Sequence, residues 1–420
     1  MLILFVGSCR ALLEIVQFRY MVLSRFWLVV FISLAGFGIT TIPFPLVAES
    51  MGASDFWKTF GGSGVFSLFQ LVATPIWGRF SDAYGRKPIL VISSAGTVLS
   101  FVWLAFAPTL ESMLLARAFG GITSGNLAAA FAYATDVTDP KDRAKGLGIV
   151  ASAFGVGFAV GPPLGGVLGS LDGIPSMYWA GLASAGLSLI AFFGTVLLLP
   201  ESLPVESRKP LKQVVVEGKA SAPSASLFDS LRARPVLLGL MTASLLVGVA
   251  GAAMQSVFQF WGRDLFDYSL RDVGLHFAAF ALLSAVGQAG LVGPLAKRFG
   301  EKHVAVGSII GVTIGLGLFA VAQSDAMVWV AISVFGLANG LFLPSISSLV
   351  SFETDAGSRG AVMGIFNASS SAGRILGPAI SGPLYFKLGP AAPFVFSAAS
   401  TALGALMLSR ARARKSDEAN

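Results

Sequence analysis

An all-α membrane protein of twelve transmembrane helices, arranged as two pseudo-symmetric halves of six, is the architecture this sequence predicts, and three observations predict it. Only 12% of the 420 residues are charged, against about 25% in a soluble globular domain, so long stretches offer no surface to water. Apolar runs of about 20 residues, the length a bilayer-spanning helix needs, recur along the whole chain. The sequence also repeats itself at an offset of about 216 residues.

The spans fall at roughly 26–48, 58–78, 88–107, 112–135, 146–170, 177–199, 236–260, 272–294, 303–323, 326–350, 360–386 and 391–409. Lipid offers no partners to backbone N–H and C=O groups, so apolar runs of this length form helices that satisfy their own. The 49 glycines fit the same reading, because small residues let helix backbones approach in a bundle. Residues 1–25 form an N-terminal arm. Its first twenty residues resemble a signal peptide without a small-residue cleavage site, an interfacial helix, or sequence ahead of a start at Met21, and a non-essential extension is favoured. Residues 26–199 make one six-helix bundle and 236–409 the other. The linker 200–235 is rich in Ser, Pro and charge, and 410–420 is a short tail.

Charge placement orients the chain. With the N-terminus inside, 23 of the 29 Lys and Arg fall in the arm, the inner loops, the linker and the tail. Four (Lys58, Arg263, Arg271 and Lys387) lie in outer loops, where a solvated face accounts for them, and Arg117 and Arg374 lie inside spans. This bias predicts both termini in the cytoplasm and explains the net charge of +7 without a nucleic-acid partner. Cys9 is the single cysteine, so no intrachain disulfide forms, and no Cys/His cluster suggests a metal. No phosphate-binding Gly-x-x-x-x-Gly-Lys-Ser/Thr loop is present. Neither an enzyme nor a cofactor is expected.

The repeat is specific. Arg143 precedes Pro162 of Gly161-Pro162 by nineteen residues, as Arg359 precedes Pro378 of Gly377-Pro378. Phe119-Gly120 and Phe335-Gly336 each stand 24 residues before those arginines. Gly78 to Lys87 matches Gly293 to Lys302, with the same spacing from Gly78 to Gly85 as from Gly293 to Gly300. Parallel six-helix repeats are a transporter plan that holds substrate near the midplane between the halves.

The segment Gly78–Leu90, with Gly78, Asp82 and then Gly85-Arg86-Lys87, resembles the signature loop of the major facilitator superfamily. Arg117-Ala118-Phe119-Gly120-Gly121 resembles its helix-4 arginine motif. Gly157 to Gly166, including Gly161, Pro162 and Gly165, resembles the helix-5 motif of its drug and metabolite antiporter branch, as does the exit Leu199-Pro200-Glu201-Ser202. Together they are similar to tetracycline-resistance-type exporters. The resemblance implies alternating access, proton antiport, efflux and multidrug resistance, a monomer, and a bacterial inner membrane. It implies that Arg86, Asp136 and Asp82 form a latch closing the inside face, and that the helix-5 glycines pack the two halves together. The second copy departs, with Lys297 where Asp82 would repeat.

Polar residues are scarce in the spans, so each is a cavity candidate: Ser33, Thr40, Thr41, Gln70, Arg117, Asn126, Gln255, Gln259, Gln288, Asn339, Asn367 and Arg374. A lone Gln or Asn more often bonds helix to helix. Arg374 is different, because an arginine at a helix centre costs roughly 2.5–3.5 kcal/mol on insertion scales and usually faces a cavity. Arg117 sits nearer an end, where snorkelling competes. No acid lies near a span centre, and Ser100 stands where helix 3 of tetracycline exporters carries Asp. An anionic, zwitterionic or neutral amphipathic cargo is therefore expected, with cationic drugs poor cargo. Asp82, Asp136 and Glu353 are left to titrate, all near the inner face. An uptake symporter or facilitator is the alternative, and a receptor or scaffold a remote one.

Overall fold

The structure is a computed structural model that describes residues 2–138, 143–208, 210, 235–354 and 359–410; side chains at 2–20, 126–128, 143–149, 151, 154–155, 235, 359–361, 363–364 and 367 lie outside the description. Most of the linker and tail therefore fall outside it, as do the side chains of Asn126 and Asn367.

Every regular element among the described residues is helical. The helices are α1 (Leu2–Ile39), α2 (Pro43–Ser50), α3 (Asp55–Thr59), α4 (Val65–Tyr84), α5 (Arg86–Ala105), α6 (Leu110–Thr123), α7 (Leu127–Asp136), α8 (Arg143–Leu168) and α9 (Tyr178–Leu198). They continue as α10 (Pro235–Phe266), α11 (Leu270–Val286), α12 (Val292–Phe299), α13 (Glu301–Ala320), α14 (Asp325–Phe352), α15 (Arg359–Leu388) and α16 (Ala392–Arg410). A π turn at Phe60–Gly64 joins α3 to α4, another at Gly287–Leu291 joins α11 to α12, and a 3₁₀ turn at Ser124–Asn126 joins α6 to α7. Eight of the described stretches are long and apolar enough to cross a membrane. The stretches 55–84, 110–136, 143–168 and 359–388 carry Gln70, Arg117, the Gly-Pro run and Arg374, a content that suits helices facing other helices rather than lipid.

The first span differs from the single helix expected at 26–48. The helix breaks at Thr40, Thr41 and Ile42, and α2 restarts with Pro43 in its first turn, where a missing N–H costs nothing.

Close backbone contact holds the bundles together. Gly157, Gly161 and Gly165 recur every four residues and so lie along one face of α8. A Cβ on Gly161 would sit 2.6 Å from the Ala35 carbonyl and the Gly38 Cα, and one on Gly165 would sit 2.1 Å from the Ile39 carbonyl. These glycines therefore press α8 onto α1, inside one bundle. That differs from the expectation that they pack half against half; within the motif it is Gly166, facing the Leu270 carbonyl and Gly274 of α11, and Pro163, whose carbonyl faces Gly274, that meet the other half. The repeat builds the same joint again. A Cβ on Gly373 would lie 2.7 Å from Gly248, and one on Gly377 2.5 Å from the Val249 carbonyl, pressing α15 onto α10. Ser381 stands where Gly165 would repeat, and its hydroxyl shares a 2.7 Å hydrogen bond with Ser256.

Buried apolar residues divide in the same way. One cluster runs from Val236 to Leu408 and takes in Ile42 and Leu46, while the other two lie within 22–199. Replacing Gly161 by Val should force α8 off α1. A loss of roughly 1–3 kcal/mol is expected for overpacking, read as a lower thermal midpoint in detergent. Gly307→Ala, with open space around the position, should leave the midpoint unchanged or raise it.

Candidate functional site

Among the described residues, a set of contacts joins the first six helical stretches to the last six at one end of the molecule. At this sealed end Gly166 meets Leu270 and Gly274, and Gly274 in turn faces the Pro163 carbonyl. The hydroxyl of Thr59 donates to the Pro378 carbonyl at 2.7 Å, and Gly382 lies against the Asp55 carbonyl. Around these backbone contacts runs a chain of charges. Glu49 accepts from Arg263 Nη1 at 2.5 Å and pairs with Lys58 at 3.5 Å. Lys58 also pairs with Asp55 at 3.3 Å and lies 4.2 Å from the centre of the Phe386 ring. Arg263 turns its Nε to Asp264 at 2.9 Å, and Asp264 accepts from the Tyr385 hydroxyl at 2.8 Å. Lys58 and Arg263, which the sequence placed on a solvated face, thus join α2 and α3 to α10 and α15.

Away from this end the facing surfaces become exposed. On α15, Gly382, Pro378 and Arg374 share a face at four-residue spacing. Gly382 and Pro378 are buried against α3, and Arg374 one turn further on is exposed. The Nη2 of Arg374 donates to Ser371 Oγ of its own helix at 2.9 Å, and among the described residues no carboxylate pairs with it. On α8, Gly166, Pro162 and Phe158 form the corresponding stripe, with Phe158 exposed. Phe158 and Arg374 are 216 residues apart, the same offset as the repeat, so they occupy equivalent places on the two copies. On α10 the stripe Arg263, Gln259, Gln255 likewise passes from the ionic network through a buried residue to an exposed one. Gln288 is exposed on the π turn after α11. Arg374, Gln255 and Phe158 are therefore exposed on helix faces whose far ends meet across the two halves. Phe158 was missed from sequence, although the repeat offset from Arg374 pointed to it.

Other candidates have structural tasks. The 3₁₀ turn after α6 frees backbone carbonyls, and three side chains satisfy them. Gln70 Nε2 donates to the Ser124 carbonyl at 3.1 Å, Trp77 Nε1 to Ile122 at 2.6 Å and Ser93 Oγ to Thr123 at 2.5 Å. Gln259 is buried and donates to the Ser256 carbonyl at 2.9 Å. Arg117 is 1% exposed. Its Nε donates to the Gly62 carbonyl at 3.3 Å and Nη1 to Thr40 Oγ1 at 3.1 Å, while the rings of Phe37, Phe44 and Phe66 surround it at 5.3–5.7 Å. It sits in a closed cage rather than on the parting faces. Asn339 is half-buried on α14.

At the other end, Arg86 Nη1 pairs with Asp82 at 2.5 Å and its Nε with Asp136 at 3.2 Å. Asp136 also accepts from the Ser202 hydroxyl at 3.1 Å. Gly85 has φ +107°, a conformation that glycine adopts without strain. The cap of α5 comes from Glu201, which accepts from the Arg86 backbone N–H at 2.9 Å; a Cβ on Gly85 would collide with it at 2.4 Å. All these groups belong to the first six stretches. The cluster binds α4, α5, α7 and the exit from α9 to one another, and among the described residues its partners all belong to these elements. Glu201 was legible only as part of the exit motif, because its partner lies 115 residues away.

A model of the Major Facilitator Superfamily matches residues 26–292 and 266–420. The chain belongs to the Major Facilitator Superfamily. Among its superfamily relatives, the class C tetracycline resistance protein of Escherichia coli is 31% identical over 323 residues, covering 76% of this chain and 78% of that protein. Human major facilitator superfamily domain-containing protein 10 is 27% identical over 387 residues, covering 83% and 81%. The crystal structure of the human organic anion transporter MFSD10 (TETRAN) superposes with a TM-score of 0.69 at 22% identity, over 93% of this chain and 99% of that one. The all-helical fold is thus the superfamily's fold, and the chain is a multi-pass membrane protein of a transporter family.

Two tests follow from this geometry. Glu201→Ala should cost about 0.5–2 kcal/mol, the range for losing a helix cap, read as a lower thermal midpoint. Arg263→Ala should loosen the sealed end without unfolding the chain. A half-exposed ion pair contributes roughly 0.2–1 kcal/mol, so the open-to-sealed ratio should rise about 1.4- to fivefold. Spin labels at Leu171→Cys and Leu388→Cys, in a Cys9→Ser background, would read it as a longer distance.

Proposed function

We propose that this superfamily transporter exports a small amphipathic compound with an anionic or neutral polar group, in exchange for protons, by alternating access between the bundles 26–199 and 236–409. The observation that carries the reading is Arg374. It is a mid-helix arginine without a described carboxylate partner, exposed on the face that is sealed one turn away. Burying such a charge is costly, and a cargo anion offsets that cost when the gap closes around it. Phe158 at the equivalent position of the first copy offers an aromatic surface to the apolar part of the same molecule. The organic anion transporter among the solved relatives agrees with this chemistry, and the tetracycline resistance proteins among the sequence relatives agree with export. On the charge bias both termini would lie in the cytoplasm and the sealed end outside, so the gap would load from the cytoplasm of a bacterial inner membrane.

Gln255, Gln288 and the positions of Asn339 and Asn367 would add hydrogen bonds around the cargo. Arg117, Asn126, Gln70 and Gln259 would support the helices that shape the gap. The cluster of Gly78, Asp82, Gly85, Arg86 and Asp136 would keep the first bundle rigid while it rocks.

Uptake into inverted vesicles under an imposed proton gradient tests the reading, with anionic, neutral and cationic amphiphiles compared. Gradient-driven accumulation of an anionic compound is expected, reduced at least tenfold by Arg374→Ala and retained in part by Arg374→Lys. Accumulation indifferent to the gradient would instead mark a facilitator. Tight handling of lipophilic cations unaffected by Arg374→Ala would overturn the cargo assignment.

A further inference from the structure

At the end opposite the seal, the repeat builds one turn twice and treats charge in it differently. In the first copy three acids close the turn. Arg86 pairs with Asp82 and Asp136, and Glu201 accepts from the backbone N–H groups of Arg86 at 2.9 Å and Lys87 at 3.5 Å. In the second copy Lys297 stands at the place of Asp82 and Arg298 at that of Ala83. Phe352 takes the place of Asp136, on the offset that relates Phe119 to Phe335. Among the described residues no side chain caps α13 after Gly300. Lys297 and Arg298 are exposed, as is Arg410 at the end of α16, and among the described residues none of the three pairs with a carboxylate. Lys302 Nζ donates to the Ser409 carbonyl at 3.3 Å, which sets the turn beside the end of α16. Glu301 stands where Arg86 does, but one of its carboxylate oxygens is buried, away from the exposed cations. Glu353, which follows Phe352, is itself partnered.

The cations are set among exposed apolar groups. Phe299, whose ring centre lies 5.2 Å from the Arg298 guanidinium, is 53% exposed, and Phe352 is 76% exposed. Along the adjoining helices, Gly307 and Ile310 of α13 and Leu403 and Leu406 of α16 are exposed as well. These two helices are tied to each other by the Thr313 hydroxyl, which donates to Thr401 Oγ1 at 2.9 Å. A Cβ on Gly307 would meet nothing, so the surface is open there. A soluble anion would match the charges and leave the aromatic and aliphatic groups in water. A phospholipid satisfies both, with its phosphate against the cations and its acyl chains along α13 and α16.

We propose that the turn from Lys297 to Lys302, together with Arg410, binds the headgroup of an anionic phospholipid. On the charge bias this lipid belongs to the cytoplasmic leaflet. The long stems of Lys297 and Arg298 carry their charges to the headgroup layer, while Phe299 and Phe352 enter its apolar boundary. The attraction falls off within a Debye length, so it acts on the lipid in contact with the turn. The matching turn of the first copy, where Asp82, Asp136 and Glu201 already hold Arg86, has no such preference. The site depends on neither the cargo nor the direction of transport.

The test uses the full-length protein in nanodiscs of phosphatidylcholine that contain a minor share of brominated phosphatidylglycerol or brominated phosphatidylcholine. A fluorophore is attached at Leu406→Cys, beside the turn, or at Ile190→Cys, the exposed position that matches it in the first copy, each in the Cys9→Ser background. At Leu406→Cys, brominated phosphatidylglycerol should quench in preference to brominated phosphatidylcholine; at Ile190→Cys the two should quench alike. Lys297→Gln should lower the preference about fivefold, and adding Arg298→Gln should abolish it. Both side chains are exposed, so an unchanged thermal midpoint should separate loss of the site from loss of the fold. Equal quenching by the two lipids at Leu406→Cys overturns the proposal, and so does a preference that survives both substitutions. An equal preference at Ile190→Cys marks a general excess of anionic lipid around the protein and overturns the assignment to this turn. Inorganic phosphate replacing chloride at constant ionic strength should leave the preference in place; its loss would mark a simple anion site and overturn the lipid assignment.

Discussion

In a bilayer, apolar side chains gain little by leaving lipid for one another, so helices associate where their backbones approach closely. The joint between α8 and α1 meets that constraint with Gly157, Gly161 and Gly165, and the joint between α15 and α10 repeats it with Gly373 and Gly377. The rest of the molecule is arranged about these two seams. Each leaves one flank of its helix free, and those flanks carry the residues that seal or part: Gly166 and Phe158 on α8, Gly382 and Arg374 on α15. A side chain at Gly161 or Gly377 would displace the seam and the flank together.

The two copies share this joint and differ in what they place beside it. Phe158 and Arg374 occupy equivalent positions, so one wall is aromatic and the other cationic. Asp82 anchors Arg86 in the first copy, whereas Lys297 stands at the matching place in the second. Ser381 replaces a glycine and exchanges backbone contact for a hydroxyl pair with Ser256. Duplication supplies the frame, and point differences make the two faces chemically unlike.

The polar residues inside the bundle divide by what surrounds them. Gln70 compensates an irregular turn, Arg117 is closed within three phenylalanine rings, and Arg374 is exposed and bonds only to Ser371 of its own helix among the described residues. Their sequence settings are alike, each a polar residue among apolar neighbours. The difference lies in the helix opposite, which spacing along one chain does not reveal.

Composition, hydropathy and the repeat were enough to read the helical membrane fold and the order of the helices, and the motifs carried the resemblance to a transporter family. These depend on local runs of residues and on the cost of unsatisfied backbone in lipid. The loop from Gly78 to Lys87 and the run from Gly157 to Gly166 were legible for the same reason, because their work is done by near neighbours on one helix or turn. The partners of those motifs were not. Glu201 capping α5 and Glu49 meeting Arg263 both join helices remote in sequence. Which glycines seal a bundle and which seal the halves, and which arginine faces the gap, were likewise decided by the tertiary structure. The physical reason is that helix rotation and crossing bring those groups together, and both are set by packing across the whole bundle.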